Sequence, residues 1–280
     1  MKSSFRICAA ALAMLLPFTA QAHKAFFVPS STVLTESDHE VTVDGAISND
    51  LFYFNHAPLR LDSLQVTAPD GSAVTPENAA TGRFRSVFDV PLAQAGTYRI
   101  ASVNNGLTAS WDGEDGKPRR WRGSDAAFKT EVPADAKNLR VTQIANRVET
   151  FVTVGKPSAL TTSGVGLELL PVTHPNDLFS GEKATFKLLL DGKPAAGLAV
   201  TATPGGTRYR DQQDTIETTT DADGRFSITW PQPGLYWLHA SQGGGRDAPD
   251  ATPAKGGKAG KKAEPRPRRV GYSATLEVLP

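Results

Sequence analysis

Histidine is the side chain of this sequence best suited to binding a metal ion, because a neutral imidazole nitrogen is a good ligand for copper and nickel. The sequence contains five histidines. No two of them stand at the short spacing of an H-x-H or H-E-x-x-H motif. A shared site would therefore have to be built by the fold from His23, His39, His56, His174 or His239.

The start of the chain gives His23 a special place. A basic start and an apolar run over residues 7–18 lead into Ala20-Gln21-Ala22, an order typical of a secretory signal peptide. The run is about a dozen residues long, which is too short for a membrane-spanning helix of about 20 residues. We expect residues 1–22 to be removed, so that a periplasmic mature chain begins at His23.

Cleavage after Ala22 would put two metal-binding nitrogens, the α-amine and the imidazole, on His23. A second imidazole would complete a three-nitrogen set called a histidine brace, which suits copper or nickel. The alternative is that signal peptidase merely tolerates His23 and that the first mature residues fray in solvent.

His56 is the first choice as partner of His23, because residues 52–58 form an aromatic, turn-like segment that could close over a ligand. A loop histidine packed on aromatic side chains is the alternative for His56. His174 is the third candidate ligand. It precedes Pro175, which favours an extended backbone, so a structural role between domains is open as well.

Two histidines are expected to have no metal role. His39 follows acidic residues in a polar segment and should be solvated. His239 should share one strand face with Leu235 and Trp237, since side chains in a strand alternate with period two. We therefore expect it to be a core residue.

Alternating apolar and polar residues, bounded by Gly, Pro, Asn and Asp, predict an all-β chain. Residues 40–47, 184–190 and 235–240 are clear examples. The 258 residues left of 280 after the signal peptide suffice for two domains. We predict two immunoglobulin-like β-sandwich domains in tandem, residues 23–160 and 165–280, with an irregular loop over residues 104–135.

Residues 243–269 are rich in Gly, Ala and Pro and carry eight basic against three acidic residues. This composition predicts a disordered loop inserted in a β-hairpin. The loop could contact an anionic surface such as lipid head groups, or act as a solvated spacer. Loss of Lys2 and Arg6 with the signal peptide leaves 28 of 30 basic residues against 29 acidic ones, which argues against nucleic acid.

No catalytic motif stands out. The single cysteine, Cys8, lies in the signal peptide, and the sequence has no G-x-S-x-G elbow, phosphate-binding loop or dinucleotide fingerprint. We therefore predict that the protein is not an enzyme.

Several short elements carry a resemblance to a known family. They are Leu-Leu-Pro-Val-Thr-His-Pro at 169–175, Asp-Gly-Lys-Pro at 191–194, Thr-Asp-Ala-Asp-Gly at 220–224 and Pro-Gly-Leu-Tyr-Trp at 233–237. With the mature start at His23, the chain resembles the NikM-like periplasmic family of nickel/cobalt transport components. The Gly-Lys-Pro and Thr-Asp-x-x-Gly elements build turns in many immunoglobulin-like and transthyretin-like domains, so they support the fold of the second domain.

The resemblance implies an envelope location and a link to metal uptake. We expect a non-enzymatic, periplasmic accessory protein that captures nickel, cobalt or copper and passes the ion to a membrane metal transporter. Its candidate ligands are His23, His56 and His174. The alternative is an envelope adhesion or scaffold module that binds a protein or polysaccharide through loops such as residues 104–135.

Overall fold

The computed structural model describes residues 23–36, 39–243 and 266–280. The regular secondary structure of this part of the chain is almost entirely β-strand, with one short α-helix and one 3₁₀ turn, so the predicted all-β class is confirmed. The expected signal peptide and most of the expected basic loop lie outside the described residues. None of the described helices has the length and apolar character needed to cross a membrane.

The described part of the chain contains 19 strands. Their bounds are β1 Lys24–Pro29, β2 Val33–Leu34, β3 His39–Ser48, β4 Ala57–Pro58, β5 Leu64–Thr67, β6 Ala73–Val74, β7 Glu77–Thr81, β8 Ser86–Leu92, β9 Gly96–Asp112, β10 Pro118–Gly123, β11 Lys137–Val154, β12 Leu167–Pro171, β13 Lys183–Leu190, β14 Lys193–Pro194, β15 Ala199–Pro204, β16 Ile216–Thr219, β17 Arg225–Thr229, β18 Gly234–Gln242 and β19 Arg268–Val278. Helix α1 spans Asp125–Glu131, and the 3₁₀ turn spans Thr207–Tyr209.

Within the described residues the strands form three sheets. The central sheet has ten strands in the order β16-β15-β18-β19-β11-β9-β5-β6, with β10 beside β9 and β2 beside β11. A five-stranded sheet contains β1, β3, β4, β7 and β8, and a four-stranded sheet contains β12, β13, β14 and β17. Parallel pairing of β11 with β19 makes the central sheet continuous between the two halves of the chain.

The two smaller sheets cover opposite faces of the central sheet. On one face the five-stranded sheet packs against β9 and β11 around a cluster that includes Phe27, Val43, Phe88, Tyr98, Ile100 and Val152. On the other face the four-stranded sheet packs against β15, β18 and β19 around Leu169, Phe186, Leu188, Trp230, Leu238 and Leu276. The burial of these apolar side chains is the main favourable contribution to folding.

Residues 104–135 are not the irregular loop predicted above. β9 continues to Asp112, and β10 and α1 follow it, so this stretch forms an ordered arm. The sequence did not indicate β10 as a strand, because its residues are mostly exposed and rich in arginine. Its order comes from pairing with β9. Leu107 and Ala109 are the buried residues of β9 in the arm. Their period-two spacing is the sequence pattern that could have predicted a strand here.

A network of buried charges lies where β9, β11, β12 and β19 meet. Glu149 accepts a hydrogen bond of 2.5 Å from the Tyr272 hydroxyl and lies 3.5 Å from both the Arg99 and the Arg147 guanidinium groups. Arg147 also reaches Glu168 at 3.2 Å. Burial, and then the Glu149 carboxylate, raise the pKa of Tyr272 well above its ordinary value. Pairing is what makes these charges tolerable, because an isolated buried charge is very costly.

The connection between the two halves is bound to both the four-stranded sheet and the central sheet. The amides of Ser163 and Gly164 donate to the Glu168 carboxylate at 2.8 and 2.7 Å. Ser158 exchanges hydrogen bonds with Thr97, and the Thr161 carbonyl accepts from the Arg99 guanidinium. The segment between the two predicted domains therefore has a fixed path.

His174 stands beside this connection. Its Nδ1 accepts from the amide of Asn176 at 3.2 Å, and its Nε2 lies 3.0 Å from the Thr97 hydroxyl. A neutral imidazole that accepts at Nδ1 carries its proton on Nε2, so Nε2 donates to Thr97. Burial lowers the pKa of His174.

The buried network predicts a stability loss when the Tyr272 hydroxyl is removed. Tyr272→Phe leaves a buried oxygen of Glu149 without this donor. We expect the free energy of unfolding to fall by about 1–3 kcal/mol, measured by urea denaturation. Tyr98→Phe is the control, because among the described residues that hydroxyl bonds only to the backbone of Gln94, and it should cost less. Equal losses would contradict a special role for the bond to Glu149.

The position of His174 predicts a stability loss in acid. Its pKa is lowered in the folded state, so the unfolded chain binds more protons once the pH drops below about 6.5. Stability should therefore decrease as the pH falls through this range. In His174→Gln, unfolding measured at about pH 7.5 and about pH 5 should show a smaller decrease than in the wild type. His39→Gln, at an exposed site, should keep the wild-type decrease, and the same decrease in all three chains would refute the assignment.

Candidate metal site

Strand β1 fixes the backbone next to His23. It pairs antiparallel with β3 from Lys24 opposite Ser48 to Pro29 opposite Val43. Its two phenylalanines point to opposite sides and are fully buried, Phe27 in the core beneath the five-stranded sheet and Phe26 in a cluster with Trp237. A strand buried on both faces is held in register, so His23 lies directly beyond the paired end of β1.

The second half of the chain also holds the start of β1. The indole Nε1 of Trp237 in β18 donates to the Ala25 carbonyl at 2.9 Å, and Lys24 Nζ donates to Gln213 Oε1 at 2.9 Å. The Lys24 ammonium group lies 5.8 Å from the centre of the Trp237 ring. Burial lowers the pKa of Lys24, and the Asp50 carboxylate acts in the opposite direction.

The loop between β3 and β4 brings His56 back to the same place. Asn55 organises this loop: its Oδ1 accepts from the Ser48 hydroxyl and, at 3.2 Å, from the Asn49 amide, while its Nδ2 donates to Asp50 at 2.8 Å. Phe52, which has a φ of 63°, anchors the loop by an edge contact with Phe26 at 5.2 Å between ring centres. These contacts place His56 near the end of β3.

His23 and His56 are in direct contact. Their rings stack with a distance of 3.8 Å between centres and an angle of 25° between planes. Both residues are exposed. In a near-parallel stack each nitrogen lone pair lies in the plane of its own ring, so the two do not converge on one point. Rotation about the exposed side-chain bonds would let both rings reach an ion with metal–nitrogen bonds of about 2 Å.

The donor set suits a transition metal that prefers nitrogen. Two neutral imidazoles favour copper, nickel or zinc over magnesium or calcium, which take oxygen ligands. The described residues contain no group of three or more His, Cys, Asp or Glu side chains that could hold an ion. The α-amine of His23 would add a third nitrogen, and it exists only if the chain is cut after Ala22, outside the described residues.

The structure does not add the remaining histidines to this pair. His174 lies at the connection between the halves with both ring nitrogens engaged, and His39 is exposed at the start of β3. The His239 ring stacks on Trp237 at 4.7 Å, its Nδ1 lies 3.3 Å from the Ser273 hydroxyl, and burial lowers its pKa. The histidine pair of the candidate site is therefore His23 and His56.

Sequence reasoning missed the residues that support the pair. Asn55, Lys24 and Trp237 act through contacts between segments far apart in the chain, Trp237 reaching Ala25 across 212 positions. The available signal was the position of Asn55, directly before His56. Asparagine is common in turns because its side chain bonds to nearby backbone.

The solved structures similar to this chain include the following two. The D0-D1 domain of intimin is 10% identical, with 91% of this chain and 97% of that chain covered and a TM-score of 0.22. The group B streptococcus pilus 2b backbone protein is 11% identical, with 89% and 98% covered and a TM-score of 0.15. At these TM-scores neither likeness bears on fold or function.

No curated protein matches the chain. The family described as "Domain of unknown function (DUF4198)" matches residues 20–244, which include all of β1 to β18 and both stacked histidines. The chain belongs to the DUF4198 family.

Proposed function

We propose that this protein is a periplasmic, non-enzymatic accessory protein for the uptake of a transition metal, namely nickel, cobalt or copper. It captures the ion at His23 and His56 and passes it to a membrane transporter. The observation that carries the proposal is the 3.8 Å stack of two exposed imidazoles from separate segments of the chain. The resemblance to NikM-like nickel/cobalt transport components supports the same function.

The arrangement suits capture and release. The backbone at both histidines is held by aromatic contacts, those of buried Phe26 on one side and half-buried Phe52 on the other, whereas the two rings are exposed. An ion can therefore reach the pair from solvent without opening the core. A backbone that is already in place also lowers the entropy cost of binding.

Cleavage after Ala22 would strengthen the site. The α-amine and imidazole of His23 would then bind one ion as a chelate, and His56 would supply the third nitrogen. Protons compete for the same lone pairs, so binding should weaken as the pH falls.

The first test removes the partner ring. Calorimetry with Ni²⁺, Co²⁺ and Cu²⁺ on the chain that begins at His23 should show binding of at least one of these ions at neutral pH. His56→Ala should weaken it by about tenfold or more, since loss of even an outer-shell contact has such an effect. His39→Ala, which removes an exposed histidine outside the pair, should bind as the wild type does. Absence of binding in the wild type, or equal binding by His56→Ala, would refute the proposal.

The second test removes the amine. Near pH 6.5 an acylating reagent favours the α-amine, with a pKa of about 8, over ordinary lysine amines, with a pKa of about 10.4. A chain that carries one acetyl group at His23, verified by mass spectrometry, should lose affinity, because the chelate is broken. A mock-treated chain is the control. Unchanged affinity after acetylation would show that the amine is not a ligand, even if His56 is one.

A further inference from the structure

The arm and the adjoining start of β11 carry three arginines on one face of three paired strands. In the sheet register Ser110 of β9 lies between Arg120 of β10 and Arg140 of β11. Thr108 lies likewise between Arg122 and Thr142. Directly paired residues of antiparallel strands project to the same side. We call this side, with Arg120, Arg122, Arg140, Thr108, Ser110 and Thr142, the arginine face.

The opposite face of the arm is packed. Trp121 donates to Glu131 of α1 at 2.7 Å, and its ring contacts Phe128 at 5.6 Å between centres. Arg119, two residues earlier on the same side, pairs with Asp115 at 3.2 Å. The strand β10 therefore places Arg119 on the side of Trp121 and its other two arginines on the arginine face.

Two of the arginines of this face have no partner within the described part of the chain, and one carboxylate, that of Asp112, lies on the same side. Arg120 and Arg122 are exposed, and neither forms a hydrogen bond or ion pair with any described residue. Asp112 shares this side through period-two alternation, and its carboxylate accepts from the Asn138 amide at 2.6 Å. A guanidinium group stays charged at all ordinary pH values. Two fixed positive charges thus face solvent.

A cleft of about 350 Å³ opens at the inner end of the arginine face. Strand β9 pairs first with β5, up to Ser102, and then with β10, from Leu107 onwards. The cleft lies at the gap between β5 and β10. The cleft is lined by hydrogen-bonding groups, among them Arg60, Ser63, Asn104, Asn105 and Arg122. Arg60 is already paired with Asp62 at 2.7 Å, so the free charge in the cleft is that of Arg122.

We propose that the arginine face docks on an anionic phospholipid surface, with a phosphate head group in the cleft beside Arg122. A planar array of guanidinium and hydroxyl groups matches a planar array of phosphates, and guanidinium groups bind phosphate in bidentate geometry. Each basic residue near such a surface contributes about 1 kcal/mol at physiological salt. The proposal uses residues apart from the histidine pair and does not depend on metal binding.

The test is sedimentation of the full chain with vesicles of phosphatidylglycerol mixed with phosphatidylcholine, against vesicles of phosphatidylcholine alone. We expect binding to the anionic vesicles only, weakened by added salt because the contacts are screened. The double variant Arg120→Gln/Arg122→Gln should bind about 10- to 30-fold more weakly, given about 1 kcal/mol for each charge.

The matched control is Lys117→Gln/Arg119→Gln. It removes the same net charge from the same arm, but its residues are those that pair with Asp115. It should bind like the wild type, and thermal unfolding should show that all variants are folded. Equal weakening by the two double variants would refute the arginine face as the contact. So would equal binding of the wild type to both kinds of vesicle, or no binding to either.

Discussion

The parallel pairing of β11 with β19 is the constraint on which the rest of the structure depends. It runs from Gln143 opposite Arg268 to Thr150 opposite Thr275 and joins the first half of the chain to its C-terminal strand. β18 pairs with the other edge of β19, so the pairing also places Trp237. Trp237 in turn holds the backbone at Ala25, two residues from His23. The candidate metal site therefore depends on a strand more than 240 residues further along the chain.

The buried charges at this junction matter more for the register of the strands than for the stability of the fold. Two arginines and two glutamates removed from water gain little net stability, because desolvation offsets most of their attraction. They do specify register, since a shift of β19 by one residue would turn Tyr272 to the other face of the sheet. Glu149 would then lose its 2.5 Å hydrogen bond and remain buried beside the guanidinium groups. Slipped pairings are thus penalised more heavily than in an apolar junction.

The two surfaces proposed for binding differ in how they are built. At the histidine pair the backbone is fixed by aromatic packing around Phe26, and the rings are exposed. At the arginine face the sheet itself sets the spacing, since neighbouring strands lie about 4.8 Å apart. The first arrangement suits one small ion, and the second suits a broad surface with repeated charges.

The sequence by itself determined the all-β class and several strands. Residues 40–47 and 184–190 alternate with period two, and the structure has strands at His39–Ser48 and Lys183–Leu190. The sequence also indicated the turn at Asp191-Gly192. The φ values there are 52° at Asp191 and 74° at Gly192, and glycine adopts such a positive φ at little cost. These features are local, because neighbouring residues alone decide the side-chain period and the backbone angles.

Only the tertiary structure decided which distant segments meet. Nothing near His56 in the sequence specifies a stack with His23, which is 33 positions earlier and is brought there by β1, β3 and the Asn55 loop. The arm at residues 104–135 was missed because its order comes from pairing between strands, whereas its composition is that of an exposed surface. Local sequence sets backbone preference, but contacts between remote segments follow from burial in the whole chain, and that burial placed both histidines at one strand end.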